Sequence, residues 1–521
     1  MLNFLCLNLV NKAKMYIFVV KIFWRFSKSY IFMKPFCIPI CLTHNFAKCT
    51  TMKRVRKISL VIAALVASSS LFAQKDLLIS GGSAVSSMVC SNNYVYVTGS
   101  NKTDAGTGTL GTGSSDAYVS SWTKVPFPAG INIQQVNSGS GQNFVALDCN
   151  KKVWCWGDNQ QGQCGQGTGS ASVITAPAQV KVGTALAGTV YDCGGYLCGV
   201  DVVYSGNANT FALLGAGPYK GQVVAWGGNG SGGSYASNLG DGTNTNRSEP
   251  VFCLDLNGNP LTNITQIYAS DDVSMFLDGD GHVWTAGGQQ KNTTILGRLA
   301  TGGYAATSTG GASAYFGMVY VADGVPLSNI KQIAAGDINC QALDGDGYVW
   351  GWGDAWNSAC GIGQDKGSSF PMKVIGGLLD DEDTDGAYLL AKSIGAGQSC
   401  GFAVTLTGKP VMWGQFANGA YGTSVLPRYV ARLGGVVDSD VILINKGDTW
   451  GFYERSNGDM YTWGYNGTGQ LGTGNTANLA VATAITPPTG CVTKDPSPSA
   501  TITPKSMSVC ESSFTGVELN C

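Results

Sequence analysis

Apolar residues along this chain gather in short β-type runs, and the order of those runs recurs. In the clearest copies a run ends on an aromatic residue and glycine: Val153-Trp154-Cys155-Trp156-Gly157, Val349-Trp350-Gly351-Trp352-Gly353 and Met460-Tyr461-Thr462-Trp463-Gly464. Looser copies are Tyr94 to Gly99, Val223 to Gly227, Val283 to Gly287 and Val411 to Gly414. One unit reads as an apolar strand (Ile330 to Gly336), a second strand (Cys340 to Leu343), a turn (Asp344-Gly345-Asp346-Gly347) and the aromatic strand (Tyr348 to Trp352). A glycine-bounded loop then leads to Cys360-Gly361. Leu277-Asp278-Gly279-Asp280-Gly281 nearly duplicates the turn, and Ser456-Asn457-Gly458-Asp459 holds the same place. Asp-Gly and Asn-Gly supply the positive φ of two-residue hairpins. The fixed offset before the aromatic strand favours hairpins over calcium loops.

Units of three or four short strands cannot bury their faces alone and must stack. All-β units of this length favour radial closure, so we expect a seven-bladed β-propeller over residues 74–486. The aromatic residue of each third strand is expected between blades, with the following glycine allowing close backbone approach. Pro487 to Pro498 reads as a linker. Residues 499–521 read either as the opening of a further β domain, immunoglobulin-like in character, or as a disordered tail.

Charge changes the picture at the N-terminus. Residues 1–73 hold 11 of the 32 Lys and Arg and none of the 33 Asp and Glu. The rest carries 21 basic against 33 acidic residues, a net −12 that disfavours binding to nucleic acid. Met52-Lys53-Arg54-Val55-Arg56-Lys57, the apolar stretch Ile58 to Ala67 and the small-residue exit Ser68 to Ala73 have the three-part layout of a signal peptide. Cleavage after Ala73 is expected, with a secreted or cell-surface product and no membrane span in the mature chain. The apolar core is too short to span a bilayer, which needs about 20 residues. Residues 1–51 read as a start-site error before Met52; a basic membrane-proximal extension is the rival reading.

Thirteen of the 17 cysteines follow that leader, and export permits disulfides. Cys193/Cys198 and Cys155/Cys164 are close enough in sequence to pair, but spacing does not set connectivity. Reactive residues are sparse. His282, the sole histidine after the leader, sits in a hairpin, and there is no nucleophile elbow or phosphate-loop ending. We expect no enzyme and no cofactor other than a calcium ion. Asp381, Asp383 and Asp385, with Gly386, match the first half of a calcium loop, while Lys392 stands where the closing Glu belongs. A solvated acidic loop is the competing reading. The loops after each Trp-Gly carry the aromatics Tyr235, Trp356, Phe416, Tyr421 and Tyr465. These either recognise a protein or glycan or pack on neighbouring loops.

The units resemble the repeat of the regulator of chromosome condensation family: an aromatic strand, Trp-Gly, an Asn two residues on, then Gly-Gln-Leu-Gly. Trp463 to Gly472 matches throughout, and Trp156 to Gly165 matches except for Cys164 in the Leu place. Trp226-Gly227-Gly228-Asn229 with Leu239-Gly240 keeps both halves around an insertion. Trp352-Gly353 with Cys360-Gly361 and Trp413-Gly414 with Tyr421-Gly422 are degraded copies; Thr98-Gly99 with Leu110-Gly111 and Ala286-Gly287 with Leu296-Gly297 are weaker. The resemblance implies a seven-bladed propeller. The second-strand His common in the family is absent from every unit. The founder's role, nuclear GTPase exchange and chromatin binding, fits an exported acidic chain poorly.

The expected function is therefore a secreted or cell-surface binding or adhesion module, part of a larger exported bacterial protein. A soluble inhibitor of an extracellular enzyme is the alternative, by similarity to secreted propellers of this fold. A carboxylate-dependent hydrolase or lyase is the third option.

Overall fold

Every turn of the repeat becomes one antiparallel sheet. The structure, a computed structural model, describes residues 79–491 apart from 91, 105, 168–172, 230–236, 271–272, 289–312, 338, 354–357, 365–366, 378, 416–422 and 489–490. Residues 1–78 and 492–521 lie outside the described residues. The expectations for residues 1–73 and 499–521 fall there too.

Seven four-stranded sheets follow one another, each with its strands in chain order. Blade 1 is Ile79–Gly81, Val85–Val89, Val95–Ser100 and Tyr118–Lys124. Blade 4 is Ile264–Ala269, Val273–Asp278, Val283–Gly287 and Ser313–Met318. Blade 7 is Val441–Lys446, Trp450–Arg455, Met460–Gly464 and Leu479–Ala484. The first strand of each blade lies against the first strand of the next, and that of blade 7 lies against that of blade 1. The sheets thus close into a seven-bladed propeller. Among the described residues no helix is long and apolar enough to cross a membrane.

A first strand is the inner edge of its sheet, with unpaired backbone groups. Glutamines clasp that edge. Gln135 Nε2 donates to Val203 O (3.0 Å), and its Oε1 accepts from Val203 N (3.1 Å). Gln332 repeats the pair on Ile394 O (3.0 Å) and N (3.1 Å), and Gln266 Nε2 donates to Lys331 O (2.7 Å). Each glutamine satisfies the edge of the following blade without hydrogen-bonding the two sheets into one.

The hairpins between second and third strands differ from the two-residue turns expected. Gly281 N donates to Asp278 O and Gly347 N to Asp344 O, and the left-handed residue is the second glycine, Gly281 (φ 82°) or Gly347 (φ 95°). This is a turn followed by a one-residue bulge. The first glycine answers to space instead: a Cβ on Gly279 would lie 2.7 Å from Asn263 Oδ1, and one on Gly345 2.6 Å from Asn329 Oδ1. The aspartate that opens the turn binds three donors. Asp344 Oδ1 accepts from Asp346 N (3.0 Å) and Tyr348 N (2.9 Å), and Oδ2 from Trp350 Nε1 (2.9 Å). Asp148 and Asp278 do the same for Trp154 and Trp284.

Ring closure joins residues far apart in sequence. Thr98 Oγ1 donates to Gly469 O (2.8 Å), Thr468 Oγ1 to Ala84 O (3.1 Å) and Asn445 Nδ2 to Ile79 O (3.3 Å). Ile79, Met88, Trp450, Phe452, Met460, Leu471 and Ile485 form one buried cluster across the seam. A disulfide between Cys90 and Cys491 fastens the chain beyond blade 7 to blade 1.

Candidate functional site

Antiparallel order puts the loops after each Trp-Gly at one end of the wheel, with the first-to-second-strand turns. The bulged hairpins and interblade connectors occupy the other end. The first end has a rigid base that the repeat builds blade after blade.

Three residues make it. Trp156, Trp226, Trp352, Trp413 and Trp463 are fully buried. Each indole whose bond is described donates to the loop of the preceding blade: Trp156 Nε1 to Leu110 O (3.2 Å), Trp226 Nε1 to Gln163 O (2.9 Å) and Trp413 Nε1 to Ala359 O (3.0 Å). The glycine after the aromatic position has positive φ in all seven blades, from 90° at Gly414 to 118° at Gly353. A Cβ on Gly227 would sit 2.4 Å from Ala208 O, so the loop can leave only where no side chain intervenes. The asparagine two residues on is buried and closes the loop upon itself. Asn101, Asn159, Asn229 and Asn466 Oδ1 accept from Leu110 N (2.9 Å), Cys164 N (2.9 Å), Leu239 N (3.0 Å) and Leu471 N (2.9 Å).

In each loop where it is described, the second glycine then presses on an aromatic ring of the next blade. A Cβ on Gly111 would fall 2.6 Å from Trp156, one on Gly165 3.0 Å from the Trp226 indole nitrogen, and one on Gly361 2.6 Å from Trp413. Blades 1 and 4 have Thr98 and Ala286 in the tryptophan place. Their fourth strands supply the ring instead: Gly472 of blade 7 lies on Trp122, and Gly240 of blade 3 on Phe316. Phe316 also stacks on Phe276, with centroids 4.2 Å apart. Sequence reasoning missed these two substitutes. A Trp or Phe in the fourth strand of each copy that lacks the third-strand Trp was the available signal.

Of the five aromatics expected to recognise a ligand, Tyr465 is described. It is 38 % exposed on the Trp-Gly end, its ring over the space that a Gly467 side chain would need. Tyr235, Trp356, Phe416 and Tyr421 lie outside the described residues.

The three expected calcium ligands stand elsewhere, on the connector between blades 5 and 6 at the hairpin end. Asp381–Asp383 is a short 3₁₀ turn. Asp383 is buried, accepting from Thr407 Oγ1 (2.5 Å) and Tyr429 OH (2.7 Å), with Lys409 Nζ at 3.2 Å. Burial acts to raise its carboxyl pKa, but the bonds from Thr407, Tyr429 and Lys409 hold it below the usual carboxylate value. Burial and Asp383 together push the Tyr429 phenol up. Asp385 accepts from Ala387 N (3.0 Å) and Tyr388 N (2.7 Å), bonds that lower its pKa. Asp381 makes no described contact with either. Among the described residues no group of three His, Cys, Asp or Glu is placed to hold a metal ion. The structure employs Asp383 as a buried anchor for the connector and Asp385 as a turn cap. His282 leans on its own hairpin, with Nδ1 3.4 Å from Asp278 Oδ2.

Residues 133–163, the first three strands of blade 2 with its Trp-Gly loop, match the model of the regulator of chromosome condensation (RCC1) repeat, and residues 457–493 of blade 7 match a second model of the same description. Two of the seven units thus match RCC1 repeats. Human E3 ubiquitin-protein ligase HERC2 is 25 % identical over 357 residues, 66 % of this chain and 6 % of that protein. Mouse protein RCC2 is 25 % identical over 319 residues, 59 % of this chain and 55 % of that protein. The chain thus spans a small part of the first relative and about half of the second. The crystal structure of Prp20p from Saccharomyces cerevisiae, described with its binding to Gsp1p and histones, superposes with a TM-score of 0.56 at 19 % identity, covering 79 % of this chain and 88 % of that one. This likeness concerns the fold.

Proposed function

We propose that this RCC1-type propeller is an exported binding or adhesion module, recognising a protein or glycan with the loops of its Trp-Gly end. One observation carries the reading. A positive-φ glycine starts these loops in every blade, an indole donates to the preceding loop in blades 2, 3 and 6, and a buried asparagine closes the loop in blades 1, 2, 3 and 7, while the loop sequences between these anchors differ from unit to unit. A rigid frame with varied tips suits recognition, because little order is lost when a ligand binds. RCC1-type propellers serve as protein-interaction scaffolds, and non-catalytic binding is the role favoured here.

Two features support export. The leader of residues 52–73 has the layout of a signal peptide, and the Cys90–Cys491 and Cys193–Cys198 disulfides suit an oxidising compartment. A cell-surface setting in a larger bacterial protein completes the proposal. The second reading, a soluble inhibitor that caps an extracellular enzyme, uses the same end of the wheel.

Binding of the mature chain to a glycan array and to intact cells tests the proposal. Tyr465→Ala is expected to weaken binding about tenfold, the effect of losing one aromatic contact worth about 1.4 kcal/mol. Leu433→Ser, at the hairpin end, is expected to leave it unchanged. The reverse pattern would assign recognition to the opposite face.

A further inference from the structure

Blade 2 alone has a cysteine at each of two facing positions. Cys155 is the middle residue of its third strand, and Cys164 stands in the Leu place of its Trp-Gly loop. Sister blades have Val97 with Leu110, Ala225 with Leu239 and Thr462 with Leu471 at these places. Both cysteines are thiols in the structure, both are fully buried, and both belong to one apolar cluster with Trp226 at the joint to blade 3.

The repeat sets strand against loop at this point. In blade 5 the same two positions are Gly351 and Cys360, and a Cβ on Gly351 would lie 3.4 Å from Cys360 Cα. That puts the two Cα atoms within about 5 Å, as close as in bridged cysteines, whose Cα atoms lie about 4.4–6.8 Å apart. In blade 2 the thiols occupy this narrow gap. Cys155 Sγ donates to Gln163 O (3.4 Å), the carbonyl of the peptide link into Cys164. Cys164 Sγ donates to Asp158 O (3.5 Å). Burial first, and then a hydrogen bond with the Cys155 thiol, push Cys164 well above the usual thiol value. Gln163 O also accepts from Trp226 Nε1 and Thr210 Oγ1, each at 2.9 Å, so loss of the Cys155 proton leaves that carbonyl satisfied.

We propose that Cys155 and Cys164 join in a disulfide as the chain folds in an oxidising compartment, fastening the Trp-Gly loop of blade 2 at its base. The bond closes residues 156–163 into a ring, with the exposed Gln160 at its tip. It forms by thiol–disulfide exchange. One thiolate attacks the disulfide of an oxidised dithiol carrier, and the second thiolate then displaces the carrier. The two thiols give up two protons and two electrons, and the carrier leaves as a dithiol. Burial of both sulfurs at the joint places this step before blade 3 packs on blade 2. In the cell the inference rests on the export reading, which supplies the carrier.

The test is cell-free synthesis of the full chain in an oxidising glutathione buffer and in a reducing one. Thiols are blocked in denaturant, and the chain is cut after Lys152 and before Asp158 without reductant. The oxidising product is expected to yield a peptide pair joined from Cys155 to Cys164 that separates on reduction, and the reducing product two blocked thiols. Amide hydrogen exchange is the second readout. Asn159 to Gln163 should exchange at least about tenfold more slowly in the bonded product than in a variant with Cys155→Ala and Cys164→Leu, which carries the blade 3 residues at both places. Blocked thiols at both positions in the oxidising product would overturn the proposal, as would a bond from either one to another cysteine, or equal exchange in the two proteins. Chain made by cells tests the export reading separately. Cys193 and Cys198 recovered from it as thiols would overturn export and leave the cell-free result standing.

Discussion

Glycine and aspartate do the most specific work at the scale of single residues. Gly227 combines φ 104° with a carbonyl oxygen where its Cβ would be. Gly227→Ala is expected to destabilise the protein by about 2 kcal/mol or more, read as a lower urea midpoint at unchanged slope. Asp383 is one of the carboxylates that contribute to the response to acid. Its folded pKa is depressed, so its contribution to stability is complete above the unfolded aspartate value of about 3.9 and is lost as pH falls through the folded value. Asp383→Asn should destabilise the wild-type protein by about 3 kcal/mol at pH 7, because Lys409 loses its buried partner, and should flatten the acid limb of a melting-temperature profile below about pH 4. An unchanged acid limb would show that other carboxylates set it. The Trp-Gly and Asn positions were legible in the sequence because one steric or hydrogen-bonding demand recurs at one offset. The aspartate-to-indole bonds of Asp148, Asp278 and Asp344 were legible as well, six residues before Trp154, Trp284 and Trp350, but the Asp-Gly turn signal overshadowed them. The role of Asp383 was not legible: its partners Thr407, Lys409 and Tyr429 belong to the next blade, and only folding brings them to the acidic run.

Elements matter through the joints between blades. Each described joint sets a loop glycine on an aromatic ring, and the source of that ring is interchangeable. Where the third strand offers Thr98 or Ala286, Trp122 or Phe316 reaches in from the fourth strand. Phe316 is fully buried, so Phe316→Ala should lower stability by about 3–5 kcal/mol. Restoring an indole in the third strand with Ala286→Trp should recover part of that loss only in the Phe316→Ala background, and should destabilise the wild-type protein by overpacking. Equal effects in both backgrounds, measured by urea unfolding, would contradict a shared slot. This exchange explains why the two weakest repeats still form full blades. A repeat pattern records the third strand's chemistry, whereas the slot can be filled from either side of it.

For the molecule as a whole, closure is the part that local pattern could not reveal. The blade number followed from counting units. The seam joins residues whose partners lie hundreds of positions away, such as Cys90 and Cys491, 401 apart. A bond closing so long a loop removes much disorder from the unfolded chain. Cys90→Ala with Cys491→Ala should therefore destabilise the protein by about 2–5 kcal/mol while leaving the far-ultraviolet circular dichroism unchanged. Under the proposed function recognition falls to the Trp-Gly loops, while the Cys90–Cys491 bond fastens the ring at the hairpin end. The most direct test of that division is cell-surface binding by a variant with Tyr235, Trp356, Phe416, Tyr421 and Tyr465 all replaced by alanine, compared alongside its urea unfolding. We expect binding to fall by at least about tenfold with the unfolding midpoint held. Full binding by that variant would contradict the account.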